Sequence, residues 1–279
     1  MAIRRVLVTG GSGKLGKFVI DDLQAHGYAV LNADRRPLDH VRTIEADLCN
    51  PGHVYAAMSG VDAVVHLAAI PHPLGNPPEV VFQTNVMSTF NILQAALTLG
   101  VKKIVLASSV SAVGTAFAFR PVDLQYLPID EAHPLLSQDA YGLSKMVGEE
   151  LAEGFARRDP ALSLTSLRFT SIITPEEAPV MFAHLRESGE SNAFWTYIDA
   201  RDAAIATRLS IEYNPPGHRA FYINAPRTYM PQPTLDLLRR RYPNVQLKPD
   251  KLTGTTAPVD CSPARDLLGF EPQFLWDAG

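Results

Sequence analysis

A doubly wound α/β fold, with helices covering both faces of a parallel sheet, is what this sequence predicts. Three observations carry the prediction. Short apolar runs alternate with longer helical patterns over the first 170 residues. The runs are near-continuously apolar, without the in–out alternation of a half-exposed sheet, as in strands buried on both faces. A glycine-rich turn follows the first run directly, and strand–helix–strand alternation of this kind implies right-handed crossovers.

Strands are expected at 5–10 (RVLVTG), 28–34 (YAVLNAD), 62–69 (DAVVHLAA), 102–109 (KKIVLASS) and 163–169 (SLTSLRF). Helices are expected at 13–27, 80–100 and 140–158, each with apolar residues at helical spacing. The first two end at Gly27 and Gly100, glycine being a common helix stop. Beyond about residue 170 prolines become frequent and the elements shorten. A helix near 200–212, a strand at 220–225 and helices near 234–241 and 262–268 are expected there. No flexible linker separates the halves. Residues 1–170 are therefore expected to form the sheet domain, and 171–279 a small α/β lobe intertwined with it, with a cleft between.

The composition excludes several classes. With 279 residues, 46% of them hydrophobic, the chain can bury a substantial core in one or two domains. A net charge of −4 gives no electrostatic reason to expect nucleic acid or an anionic membrane as partner. No apolar run approaches the roughly 20 residues that span a bilayer. The run after Arg4 and Arg5 stops at Thr9-Gly10-Gly11, far short of a signal-peptide core. Cys49 and Cys261 make no disulfide framework and the histidines no ligand cluster, so a reducing cytoplasm is expected and a metal is not.

The stretch VTGGSGKLG places Gly10, Gly13 and Gly16 between the first strand and the first helix. A tight turn, close approach of backbone to a pyrophosphate and close helix packing each favour glycine, and the helix N-terminus offers free N–H groups. Such a turn can also serve packing alone; its position between strand and helix favours the dinucleotide reading. Asp34 closes the second strand, where a carboxylate accepts hydrogen bonds from ribose hydroxyls, which favours NAD over NADP. Arg35 and Arg36 beside it can pair a 2′-phosphate, so NADP stays open. Asp47, in EADL, is placed to meet the adenine amino group or to sit in a solvated loop. Tyr141 and Lys145, in YGLSK, stand four apart and so share a helix face, where an ammonium can stabilise a phenolate. Met146, Val147 and Leu151 of the same helix are expected to pack inward.

With TGGSGKLG, Asp34, ADL (46–48), HLAA (66–69), Asn85, ASSVSAVG (107–114) and YGLSK (141–145) in this order, the chain resembles the extended short-chain dehydrogenase/reductases, the NAD-dependent epimerase/dehydratase family. The resemblance implies a Rossmann-type domain with NAD or NADP held by Gly10, Gly13, Lys14, Leu15, Gly16, Asp34, Arg35, Asp47 and Leu48. It implies that Leu67, Ala68 and Ala69 run under the cofactor, with Asn85 near it. Ser109, Tyr141 and Lys145 match the family's catalytic residues, Tyr141 as acid/base and Lys145 also holding the nicotinamide ribose. A homodimer through the 80–100 and 140–158 helices is implied as well.

Two positions depart from the pattern. Val113 stands where many members carry a tyrosine. Ser171 stands where nucleotide-sugar epimerases commonly place an asparagine three residues after an arginine, here Arg168. Arginine and serine in this arrangement resemble the uronate dehydrogenases, with Arg168 as a carboxylate clamp or, equally, a structural ion pair. Ser111, Ser171 and Trp195 are further substrate candidates, with Tyr197 and Arg201 nearby; packing explains the aromatic pair as well. The expected activity is hydride transfer at a hydroxyl or carbonyl carbon of a sugar or sugar acid. A nucleotide-sugar 4-epimerase that retains NAD, and a dinucleotide-sensing regulator, are the alternatives.

Overall fold

A computed structural model describes residues 3–189, 191 and 193–276. The first half runs β1 (Arg5–Thr9), α1 (Lys14–Ala25), β2 (Ala29–Asp34), β3 (Thr43–Glu45), α2 (Pro51–Met58), β4 (Ala63–His66), α3 (Pro78–Leu99) and β5 (Lys103–Ser109). A 3-10 turn over Val110–Val113 leads to β6 (Tyr126–Leu127), α4 (Ala140–Arg158) and β7 (Ser163–Phe169). The remainder is β8 (Ser171–Ile173), α5 (Ala178–Ser188), β9 (Tyr197–Asp199), α6 (Ala200–Glu212), β10 (Gly217–Ile223), α7 (Thr234–Arg241), β11 (Gln246–Leu247) and α8 (Ser262–Leu268).

Seven parallel strands form the main sheet in the order β10-β7-β5-β4-β1-β2-β3. Every residue of β4 and β7 is buried, the polar Ser163, Thr165, Ser166 and Arg168 of β7 included. On one face Val6, Val8, Ile20, Leu23 and Ile211 join the sheet to α1 and α6; on the other Leu7, Val64, Ile92 and Phe155 join it to α3 and α4. The strand order reverses between β1 and β4, so their carboxyl ends part around a crevice, the usual ligand site of such sheets.

The lobe is interleaved with the sheet domain, and the chain crosses residue 170 in both directions. Helix α6 and edge strand β10 follow residue 170, yet β10 pairs with β7 from Gly217–Ser163 to Ile223–Phe169. Strand β6 precedes it, yet pairs with β11. The lobe has its own core, in which Phe182, Phe194, Tyr197, Tyr222 and Leu238 meet.

Two helices were not foreseen. Both α2 and α5 carry proline in the first turn, where its missing N–H costs nothing, so a proline of the proline-rich stretch beyond residue 170 opens a helix at α5. Of Met146, Val147 and Leu151, Leu151 packs against the core as expected, while Met146 and Val147 are half-buried outside the core clusters, and Leu143 beside them on α4 is exposed. Among the described residues no helix is long and apolar enough to cross a membrane, and no three potential metal ligands cluster.

Candidate active site

One cleft of about 1000 Å³ runs along the carboxyl ends of the central strands. At its first end the glycine turn meets β4's continuation. Gly10 holds φ +71, and a Cβ there would lie 2.6 Å from the Ala68 nitrogen, so only glycine closes this turn. A Cβ on Gly16 would strike the Gly10 carbonyl and lie 2.5 Å from the Gly11 Cα, which places the close helix contact on the turn itself. Helix α1 begins at Gly13 with no side-chain cap, so its first-turn N–H groups and positive end remain available to an anion in the cleft that Gly13, Lys14, Leu15 and Gly16 line. Lys14 reaches across to Glu177, 2.7 Å away at the start of α5.

Asn32, which sequence reasoning passed over, holds this turn from beneath. Its Oδ1 accepts from Gly11 N–H at 3.1 Å and its Nδ2 donates to the Ser12 and Thr43 hydroxyls. A buried asparagine inside an apolar strand was the available signal. Asp34 accepts from the backbone N–H groups of Ser12 and Arg36, each at 3.1 Å, which aims its carboxylate along the cleft with lone pairs to spare. Arg35 is ion-paired with Asp47 at 3.2 Å. The Cys49 N–H, and then Arg35, hold the Asp47 carboxyl below its ordinary range. Leu48, Leu67, Ala68 and Ala69 complete this part of the wall. These features fit a dinucleotide: an uncapped helix end for its diphosphate, an oriented carboxylate for a ribose, and close backbone that glycine alone permits.

Asn85 is a correction. It does not line the cleft, because its side chain is used up behind the wall. It accepts from Ile70 N–H at 2.8 Å and donates to Ile70 O at 3.1 Å and to the Ser144 hydroxyl at 3.0 Å. It therefore sets the course of the 67–72 segment and does not touch what lies above it.

The other end of the same cleft gathers Ser109, Ser111, Tyr141 and Lys145. Asp139 caps α4 by accepting from the N–H groups of Tyr141 (2.9 Å) and Gly142 (3.0 Å), which fixes the tyrosine in the first turn. Gly142 lets that turn approach the 3-10 segment, since a Cβ there would lie 2.8 Å from the Ser111 carbonyl. Burial raises the Tyr141 phenol above its ordinary range, and the Ser109 hydroxyl pulls the other way. Lys145 donates to Ala107 O at 2.7 Å with its Nζ 5.5 Å from the centre of the Tyr141 ring. Burial lowers the Lys145 ammonium to about 8. Ser109 Oγ accepts from Ser111 N–H at 3.0 Å and lies within hydrogen-bonding reach of the Tyr141 hydroxyl.

Of the substrate candidates, Ser111 and Ser171 line the cleft and two others do not. Arg168 is buried on the opposite side of β7, where Nη2 meets Glu149 of α4 at 2.7 Å and Nε adds a second contact at 3.0 Å. The structural ion pair wins, and Phe169, Thr170 and Ser171 after it turn to the cleft instead. Trp195 is buried in the lobe core, its Nε1 donating to Gly189 O at 3.2 Å. Tyr197 is fully buried, and Arg201 is bonded to Asp199 and stacked 3.7 Å from the Phe274 ring centre. The segment before them is bent: Phe194 and Trp195 hold φ 60 and 55, a conformation costly for bulky residues. The Ser191 hydroxyl stabilises the bend by accepting from the Ala193 and Trp195 N–H groups. Phe117, Leu185 and Tyr229, also unforeseen, face the cleft from three separate segments, and no local sequence pattern marks them.

The family model of the NAD dependent epimerase/dehydratase family matches residues 6–218. Human sterol-4-alpha-carboxylate 3-dehydrogenase, decarboxylating, is 31% identical over 177 residues, which is 62% of this chain and 46% of that protein. The uronate dehydrogenase of Pseudomonas syringae pv. tomato is 30% identical over 159 residues, 55% of this chain and 54% of that one. The chain thus spans about half the length of these curated relatives. A short-chain dehydrogenase/reductase superfamily protein from Agrobacterium tumefaciens, solved with bound NAD, has a TM-score of 0.72 at 23% identity, with 98% of this chain and 93% of that chain covered. At that identity the likeness is one of fold.

Proposed function

The chain belongs to the NAD-dependent epimerase/dehydratase family, and on that premise we propose that it is an NAD-dependent oxidoreductase acting at a hydroxyl-bearing carbon of a sugar-sized substrate. The observation that carries this reading is the single cleft joining Asp34 and the glycine turn to Ser109, Tyr141 and Lys145. Gly10, Gly13 and the start of α1 would hold the diphosphate, Asp34 the adenosine ribose and Lys145 the nicotinamide ribose. When bound, the nicotinamide supplies the hydride acceptor. Tyr141 removes the substrate hydroxyl proton, Ser109 holds the same oxygen by hydrogen bond, and Lys145 keeps positive charge beside the phenol as it ionises. Positive charge from Lys145 and from a bound oxidised nicotinamide opposes the upward pull of burial on Tyr141.

NAD is favoured over NADP because the Asp34 carboxylate repels a 2′-phosphate and Arg35 pairs with Asp47, although Arg36 also lines this end of the cleft. A neutral hydroxyl compound is favoured over a sugar acid or a nucleotide sugar. Among the described residues no arginine lines the substrate end, and Arg168 and Arg201 are both held in ion pairs. Phe117, Leu185 and Tyr229 make that end partly apolar, which suits the carbon face of a small ring. A homodimer through α3 and α4 is supported by Phe82, Met87 and Leu143, large apolar side chains exposed on these helices. A cytoplasmic setting is supported by the two free cysteines.

Neutral sugars, sugar acids and UDP-sugars screened with NAD and NADP, read by absorbance of reduced nicotinamide, test the reading. NADH accumulates with a neutral sugar and NAD. Conversion of a UDP-sugar without NADH in solution would show a retained-cofactor epimerase instead, and silence with every class would remove the oxidoreductase reading.

A further inference from the structure

Behind the catalytic pair lies a second cavity of about 20 Å³, between α4 and the sheet. That is room for one water molecule. Lys145, Ser144 and Glu149 face it from α4, His66 from β4, Ser108 from β5 and Ser166 from β7. Most of these groups are committed elsewhere. Glu149 is neutralised by Arg168 and also accepts from Ser108. Ser144 donates to Tyr141 O and accepts from Asn85, while the His66 ring is held between Thr9 and Thr89. Lys145 gives one N–H to Ala107 O and keeps two.

Ser166 leads outward. Its hydroxyl meets His218 Nε2 at 2.8 Å, and His218 Nδ1 meets the Glu153 carboxylate at 2.8 Å. An imidazole protonated at Nδ1 satisfies both contacts, accepting from Ser166 and donating to Glu153. The His218 side chain is 4% exposed and that of Glu153 48%, so the line ends at solvent. Glu153 lies twelve residues beyond Tyr141 on α4, about 18 Å along the helix axis.

We propose that Lys145, one water in this cavity, Ser166, His218 and Glu153 form a proton outlet from the catalytic centre to solvent, separate from the substrate cleft. The proposal rests on the dehydrogenase reading above. When NAD oxidises a secondary alcohol, the hydride passes from the carbinol carbon to the nicotinamide and the hydroxyl proton is set free. One alcohol and one NAD+ thus give one ketone, one NADH and one H+. That proton arrives at Tyr141 and must leave before the next turnover. Lys145 passes an N–H proton to the water, the water passes one to Ser166, and Ser166 passes its own to His218 Nε2. His218 releases its Nδ1 proton to Glu153 and so to solvent. Lys145 regains a proton from the Tyr141 side, and rotation of the hydroxyl and the ring tautomer resets the line. An ammonium lowered to about 8 by burial exchanges protons readily near neutral pH. An epimerase that returns hydrogen to its own substrate has no net proton to discharge, so the outlet serves a net oxidation. Ser166, His218 and Glu153 act through Lys145 and are positioning residues for its proton.

The test uses His218→Gln, which keeps a hydrogen-bonding side chain but cannot shuttle a proton between two ring nitrogens, together with Ser166→Ala. With the substrate found in the screen, kcat falls roughly tenfold near neutral pH, KM stays unchanged, the solvent deuterium isotope effect grows, and activity recovers as pH rises. Should either variant not fold, Glu153→Gln at the surface carries the same measurement with a smaller loss. Variants that unfold more easily but keep the wild-type kcat and isotope effect overturn the outlet and leave a structural bond chain. A readout free of cofactor is a high-resolution crystal structure of the unliganded protein. An ordered water bonded to both Lys145 Nζ and Ser166 Oγ supports the outlet, and a dry cavity overturns it. A wild-type protein that reduces no nicotinamide in the screen defeats the dehydrogenase reading itself, and the cavity water then decides the outlet alone.

Discussion

At the cofactor end the cleft wall is backbone: the Gly10 turn against Ala68, the uncapped start of α1, and a carboxylate aimed by two N–H groups. At the substrate end the wall is side chains from separate segments: Ser171 and Ile172 of the three-residue β8, with Phe117, Leu185 and Tyr229. The first end tolerates little change because backbone cannot move aside. The second is assembled from separate segments whose side chains can be exchanged one at a time. A fixed cofactor half and an exchangeable substrate half let one scaffold serve many substrates.

The largest effect should come from putting a methyl into the fixed end. Gly16→Ala drives a Cβ into the Gly10 carbonyl and the Gly11 Cα, and both neighbours are backbone. Thermal unfolding with and without NAD should show a Tm lowered by roughly 10 °C or more and no NAD-dependent rise, from a loss of a few kcal/mol. Ser171→Ala at the other end should leave Tm and the NAD shift intact and alter KM alone. A variant at Gly16 that still binds NAD would dissolve the contrast between the two ends.

Arg168 sharpens where the substrate end stops. Arg168→Met removes the partner of a buried Glu149 and should cost about 3–5 kcal/mol in denaturant unfolding, with KM unchanged in whatever folded protein remains. Raised KM with intact stability would return Arg168 to the substrate site.

An effect on stability alone, seen only as pH changes, lies below both ends. Lys103 is buried at the foot of the sheet, where it donates to Ser163, Thr165 and Tyr213 O. Burial lowers its ammonium from 10.5 to about 7. The unfolded chain therefore binds more protons between these values, and stability rises with pH across that window. Below about pH 7 both states carry the charge and the penalty is complete and constant. Against Lys103→Met, the wild type should gain on the order of a few kcal/mol between neutral and strongly alkaline pH, and equal slopes would refute the buried charge.

The same contrast decides how much was legible in the sequence. The glycine turn, Asp34, and the Tyr141–Lys145 pair could be read because each is local: spacing within one strand–turn–helix or one helix turn fixes the geometry. Arg168 could not be read so, since Glu149 lies nineteen residues away on another element and nothing in LRFTS says which face of β7 the arginine takes. Trp195 looked like a substrate contact because its neighbourhood is the right one; its direction is set by the bend at Phe194 and Trp195. Helix α5 lay in the proline-rich stretch and starts with one of those prolines, and α2, only eight residues long, was passed over. Asn85 lies beside the 67–72 segment, but its hydrogen bonds, which spacing could not reveal, put it one layer behind the cleft wall.

The most direct test separates binding from chemistry at the junction of the two ends. Tyr141→Phe keeps the ring and removes the hydroxyl, so NAD titrated calorimetrically should bind within a few-fold of wild type. Turnover of the substrate found in the screen should fall by about 10²–10⁴-fold, the contribution of one acid–base group. Undiminished turnover in Tyr141→Phe, with NAD bound as in the wild type, would contradict the assignment of Tyr141 as the proton acceptor.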